Sequence, residues 1–283
     1  VGSDDPINME DRGNGEALST FPVRKFSVPV DRAQVLANKT VNANDSVVAE
    51  LRFELPKSSM MKNDMAVLNI IAANKWNRPI YFTNPQVDLG FDEFLRRDGL
   101  SHRLVPVQNS KVNTDWMMSK AMNVFAAGNA NVKGVYFDEE NRRHLRSIRT
   151  AYAELAIDLA AKGRKEDARK VLQKADQIID EENFPYGMVS RGNMDNRISL
   201  MFLEACYMAE DKGLIEKVAA SVGKDLQQQI KYYNSLTGKK AELMEDEKRI
   251  AEGYMEGMVR MKSVYNPAIQ IPGKLMAPRD SNK

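Results

Sequence analysis

Arg142, Arg143, Arg146 and Arg149 fall within roughly two helical turns and come nearest, by type and spacing, to a binding device. Guanidinium forks held close together can clasp a phosphate or carboxylate through paired N–H donors, and a lipid-linked sugar phosphate would suit such a patch. The competing expectation is a solvated helix face neutralised by Glu139, Glu140 and Glu154. Other motifs offer less. Gly187 and Gly192 have the glycine spacing of a phosphate loop, but Asn193 stands where a lysine should reach the phosphates, and Pro185 precedes them instead of a strand. His102 and His144 are the two histidines, and neither has a His, Cys or carboxylate at metal-ligand spacing. The acid pairs Glu139-Glu140 and Glu181-Glu182 sit at helix ends, where the helix dipole explains them. No serine stands in a nucleophile-elbow context. The one cysteine, Cys206, lies among Phe202, Leu203 and Ala205, as a buried thiol would. The expectation is therefore no catalytic residue, no metal and no cofactor.

Composition narrows the classes further. The 283 residues carry 41 Lys plus Arg against 39 Asp plus Glu, a formal charge of +2, without the basic excess that nucleic acid demands. No run approaches the roughly 20 apolar residues of a membrane span, and the opening residues are polar and acidic rather than signal-like. This stretch of chain is expected not to be membrane-inserted.

The elements that must position these residues divide into an α+β N-terminal module and an all-α part. Residues 1–20 read as a linker, with turn chemistry at Gly13-Asn14-Gly15. Residues 21–134 form the module. Phe26, Val28 and Val30 alternate, and Val47, Ala49, Leu51, Phe53 and Leu55 alternate against Glu50, Arg52 and Glu54, as strands do. A helix is expected from Asp64, capping Ala66 and Val67. A β-rich run follows at Arg78–Thr83, then a short helix near Phe91–Arg97 stopped by Gly99, a strand at His102–Val107, and a helix over Asp115–Ala127 ending at Gly128.

Residues 135–265 turn helical. Asp138 is a natural N-cap, and Leu145, Ile148, Tyr152, Leu155 and Leu159 follow the spacing of an amphipathic stripe. Large and small residues around Gly163, with Ala168, Leu172 and Ala175 beyond it, fit a tetratricopeptide-like hairpin. A weaker copy runs through Phe202, Ala205, Cys206 and Ala209 to Val218 and Val222, with Gly213 at its expected turn and Phe184–Asn196 inserted before it. Leu243, Ile250, Tyr254, Met258 and Met261 outline a last helix that caps the array. The expected inner groove, through Thr150, Ala153, Ile157, Ala160, Leu200, Leu203 and Tyr207, is apolar and should bury that helix or an apolar partner segment. Residues 266–283 read as an extended tail.

Several blocks carry a resemblance: Phe26–Asp31, Ala72–Phe82, Gly99–Pro106, Val112–Asp115 and Val135–Asn141. They resemble the C-terminal soluble region of a bacterial multi-pass membrane family of unknown function. That family is similar to a vertebrate protein O-mannosyltransferase with a membrane-embedded glycosyltransferase fold. The resemblance runs from about Ser3 to Leu236. It implies a periplasmic location and a membrane-embedded N-terminal half as partner, with a protein or glycan acceptor as a further one. It carries no catalytic residue onto this chain, and Asp4-Asp5 are not the family's acids. His102 departs from the tyrosine more usual there. The shared Asn74, Trp76, Arg78, Tyr81 and Arg103 are a candidate sugar- or peptide-contacting set, since Trp stacks on a sugar that Arg and Asn can hydrogen-bond; the alternative is that they brace a strand–helix junction. The expected function is a non-catalytic extracytoplasmic accessory or interaction domain of a glycosyltransferase-like membrane protein. The alternatives are a carbohydrate- or peptide-acceptor-binding module and, against the missing nucleophile–base set, a stand-alone hydrolase or transferase.

Overall fold

The structure is a computed structural model that describes residues 9–11, 17–19, 24–57, 60–84 and 88–265. It divides into two compact units, Val1–Met117 and Met118–Lys283. The expected tail, residues 266–283, and Asp4-Asp5 lie outside the described residues.

Within the stretch expected to be linker, β1 (Met9–Asp11) and β2 (Ala17–Ser19) pair antiparallel. The alternating runs then give β3 (Lys25–Pro29), α1 (Arg32–Ala37) and β4 (Glu50–Glu54). Strands β3 and β4 pair antiparallel with Phe26 opposite Phe53 and Val28 opposite Leu51, so one face turns to the core and Lys25, Ser27 and Arg52 face out. Helix α2 spans Lys62–Asn74. Asp64 lies inside its first turn and accepts from the Met61 amide (2.9 Å), rather than capping Ala66 and Val67 as expected. Strand β5 is Tyr81–Phe82.

The helix expected near Phe91–Arg97 is mostly a strand. A short 3-10 turn at Asp92–Phe94 leads into β6 (Leu95–Asp98), which pairs with β7 (Ser101–Leu104) around the two-residue turn Gly99–Leu100. Phe91, Phe94 and Leu95 have helical spacing, yet a register joining Leu95 to Leu104 and Asp98 to Ser101 gives the backbone inter-strand partners. The sheet order is β5-β7-β6. The core of this unit gathers Val35, Leu51, Phe53, Leu68, Ile71, Trp76, Phe91 and Leu104.

Helix α3 (Thr114–Asn123) spans the boundary and stops short of Gly128. The second unit is helical: α4 (Glu139–Ala161), α5 (Lys165–Ile178), α6 (Met194–Ala209), α7 (Lys212–Asn234), α8 (Lys239–Leu243) and α9 (Glu245–Tyr265). Asp138 caps α4, its Oδ1 accepting the Asn141 amide at 2.8 Å. The Leu145–Leu159 stripe is buried, and the small residues Ala151, Ala153 and Ala156 let neighbouring backbones come close. Gly163 turns the chain at φ 77°, where any side chain would be strained. The second turn differs from expectation: Glu210 holds the left-handed position (φ 57°), Asp211 caps α7, and Gly213 lies inside that helix. Helices α4 and α5 pack together, α6 packs on both and on α7, and α9 packs on α6 and α7. An α+β module is therefore followed by helical pairs in series.

Candidate functional site

The four arginines of α4 do not form a patch. Arg143 is exposed and pairs with Glu140 (2.7 Å). Arg142, Arg146 and Arg149 are spaced i, i+4 and i+7, share one face, and turn toward the segment between α5 and α6. Arg142 Nε donates to the Phe137 carbonyl (2.8 Å), and Arg146 forms an ion pair with the buried Asp195 (2.9 Å). Arg149 is 2% exposed. Its guanidinium donates to the carbonyls of Pro185 (3.0 Å) and Phe184 (2.6 Å) and lies 4.2 and 4.3 Å from the ring centres of Phe184 and Tyr186. Burial pulls its pKa down to about 10, against the pull of Tyr186 and Asp195. These guanidinium groups are spent on the chain's own carbonyls and carboxylate, so the expected anion site is not assembled.

The segment they hold is anchored in the core at its start and end, while Val189, Arg191 and Gly192 between are exposed. Phe184 and Tyr186 are buried, and the Tyr186 hydroxyl donates to Asp176, which also takes Lys217 Nζ (2.6 Å). Gly187 runs against α7, its amide donating to Ser221 Oγ (3.0 Å). At the start of α6, Asn193 and Asn196 are buried and bond to each other, to Gln229 and to Asp225 on α7. Gly187 is packed against α7, whereas Gly192 is exposed just ahead of α6, in a connector that follows α5 rather than a strand, which is no phosphate loop.

The inner-groove residues are covered in part by the chain itself. Ala153, Ala160 and Leu203 are buried, and Tyr207 stacks on Tyr265 of α9 at 5.3 Å. Burial raises the pKa of both tyrosines.

In the first unit, Trp76 is 8% exposed and its Nε1 donates to the Pro29 carbonyl (2.8 Å). Its ring is therefore unavailable for stacking on a sugar, and the bracing alternative describes it. Asn74 closes the turn that carries it, accepting from the Arg78 amide (2.9 Å) and donating to the Arg78 carbonyl (2.7 Å). The Arg78 side chain is exposed. Tyr81 and Arg103 are brought together across β5 and β7, the guanidinium 5.7 Å from a ring that is 48% exposed.

They belong to a cluster whose other members, Arg96, Asp45 and Asp98, sequence reasoning did not single out. Tyr81, Arg103 and Arg96 stand opposite one another across three strands. Two arginines side by side repel unless acids intervene. Asp45 takes Arg96 (2.7 Å), and Asp98 approaches Arg103 (3.8 Å) and accepts from Asn113 (2.7 Å). Arg96 and Arg103 also donate to the carbonyls of Thr40 (3.3 Å) and Lys39 (3.0 Å). The network pins the connection after α1 to the sheet. Gly99, which opens the two-residue turn after Asp98, was the available signal for the hairpin that assembles it.

Residues 1–124 match the family model described as TMEM260-associated domain 2. This fits a TMEM260-like family. No curated protein and no solved structure matches the chain. The TMEM260-associated domain 2 match takes in the Arg96–Arg103 network and the Trp76 turn, and it stops before α4. Among the described residues, no helix is long and apolar enough to cross a membrane, and no group of three His, Cys, Asp or Glu side chains could hold a metal ion. Cys206 is fully buried, and burial raises its thiol pKa far above the usual range.

Proposed function

We propose that this chain is a non-catalytic accessory domain of a TMEM260-like membrane protein, placed outside the cytoplasm beside a membrane-embedded glycosyltransferase-like half. The match of residues 1–124 to TMEM260-associated domain 2 carries this reading. The second unit adds a tetratricopeptide-like array to that module, a scaffold suited to holding a partner or acceptor. The way reactive side chains are used supports the same reading: the buried arginines, aspartates and amides bind one another and the backbone, and Cys206 is sealed in the core.

The test is glycosyl transfer to a protein acceptor, assayed in membranes holding the intact membrane protein and a version lacking this region. An accessory domain predicts loss of assembly or of protein glycosylation while the membrane half still uses a short soluble acceptor. Sugar transfer or hydrolysis by the isolated 283-residue chain would overturn it.

A second reading, a glycan- or peptide-acceptor module, is favoured by one observation: the exposed Tyr81 ring against Arg103, with Arg78 nearby in sequence. Calorimetric titration of mannosyl oligosaccharides into wild type and Tyr81→Ala distinguishes the two.

A further inference from the structure

Three segments of the first unit meet at one place and leave positive charge unanswered. Residues 31–45, 74–81 and 95–104 carry seven Lys or Arg against three Asp, in a chain whose formal charge is +2. The three acids are already engaged. Asp31 caps α1 by accepting the Gln34 amide (3.1 Å), Asp45 holds Arg96, and Asp98 lies between Arg103 and Asn113. Arg32, Lys39, Lys75 and Arg78 are exposed and have no ion pair among the described residues. Hydrogen bonds join the segments in a line. The Asn38 side chain donates to the Trp76 carbonyl (2.6 Å), which seats the turn of Lys39 against that of Lys75. The Lys39 carbonyl accepts from Arg103 (3.0 Å), whose guanidinium stands over Tyr81. Lys39, Lys75 and Trp76 all hold positive φ (58°, 47° and 61°). Three of the other four such non-glycine positions among the described residues are Asn, which tolerates that backbone better than Lys or Trp. A bulkier residue is held there only where its surroundings impose it, and such positions gather at ligand sites.

We propose that this surface binds an anionic saccharide, a sugar ring that bears a carboxylate or a phosphate. The sugar lies on Tyr81, which stays 48% exposed beside Arg103, and its acid group answers the charge of Lys39, Lys75 and Arg78. Charge selects this occupant over a neutral glycan, which would leave those cations without a partner. The three segments hold a single exposed aromatic ring, short of the successive rings on which a nucleic-acid strand stacks. The inference rests on the acceptor-module reading above and names the ligand class for it.

The test is calorimetric titration of the 283-residue chain with an oligogalacturonate and a neutral mannosyl oligomer of equal length, and with mannose 6-phosphate beside inorganic phosphate. At least one charged sugar should bind about tenfold or more tightly than the neutral oligomer, and added salt should erase most of that margin. Inorganic phosphate, with no ring to stack, should bind more weakly than the charged sugar. Lys39→Asn combined with Lys75→Asn removes two charges yet keeps residues that accept the left-handed backbone. It should abolish the preference for charge and leave the circular dichroism unchanged. Tyr81→Ala should weaken binding of the charged sugar, and Tyr81→Phe should restore it. Equal affinity for charged and neutral sugars would overturn the assignment while leaving the acceptor-module reading in place, and binding of neither would overturn both. Tighter binding to anionic phospholipid vesicles or to a single-stranded oligonucleotide, lost in the same double variant, would overturn it by giving the patch to that partner.

Discussion

Replacing Arg149 with Ala should cost the helical unit about 3 kcal/mol, although the sequence gives this arginine no distinction from its exposed neighbour Arg143. Truncation strands the Phe184 carbonyl, which Arg149 binds at 2.6 Å in the buried interior, and takes the donor at 3.0 Å from the half-buried Pro185 carbonyl. Each buried, unmet acceptor costs about 1–3 kcal/mol. The two flanking rings lose a cation at 4.2 and 4.3 Å, a contact of about 1–2 kcal/mol in a desolvated site. Part of this is returned, because the charge was itself costly to bury, as its pKa of about 10 records. For a unit of this size the net loss lowers Tm by about 6–12 °C. Arg149→Lys should fall nearly as far, since an ammonium cannot fork to two carbonyls and cover two rings together. Arg143→Ala should stay within about 0.5 kcal/mol of wild type. Urea denaturation followed by circular dichroism measures all three. The sign of the pH dependence is fixed as well. Below pH 10 folded and unfolded chains both keep this proton, so its contribution is flat across the neutral range. Above about pH 10 the folded chain releases it before the unfolded chain does, and the burial cost shrinks as pH rises. Equal destabilisation by Arg149→Ala and Arg143→Ala would refute the reasoning.

Gly187→Ala places a methyl carbon 2.1 Å from the Ser221 carbonyl oxygen and should cost about 1–3 kcal/mol, whereas Gly213→Ala, with its nearest neighbour at 3.7 Å, should gain about 0.5–1 kcal/mol in α7; matching shifts in a urea titration would contradict the packing described. Cys206 should react with a disulfide reagent at least about a thousandfold more slowly in the folded chain than in denaturant, because thiol exposure requires unfolding; prompt labelling of the native chain would count against its burial. Trp76→Phe removes the Nε1–Pro29 hydrogen bond and should cost about 1 kcal/mol while leaving any saccharide binding unchanged. The pKa of Asp138 is held below the usual carboxylate range, chiefly by the Asn141 amide, so its support of α4 is present above about pH 4 and is lost as pH falls toward the lowered value. Acid titration of the helical signal should show that loss in wild type and a flatter profile in Asp138→Ala.

The helical half was the more legible because its signals are local. The Leu145–Leu159 stripe, the Asp138 cap and the Gly163 turn each act within a few residues, and each is where the spacing put it. The strand β6 was hidden because Phe91, Phe94 and Leu95 mimic a helical face, and only the pairing with β7 decides the outcome. The arginines of α4 were misjudged for a similar reason. Spacing showed that three could share a face, but not that the face would meet carbonyls in a connector 35 residues and more away. Glu210 took the turn expected of Gly213: it holds the left-handed conformation itself, and Asp211 one residue later caps α7, so Gly213 falls inside the helix.

The connector from Phe184 to Asn196, anchored by buried residues at both ends, bears on how this array can vary. In an ordinary repeat protein a hairpin can be duplicated or excised, because each repeat meets its neighbours through the same generic surface. Here the passage from the first pair to the second is threaded through bonds to α4, α5 and α7 at once. The two pairs are therefore not interchangeable parts. A variant with one hairpin copied or removed must also rebuild that passage, so the number of hairpins on this side of the chain should be hard to change in evolution or by engineering.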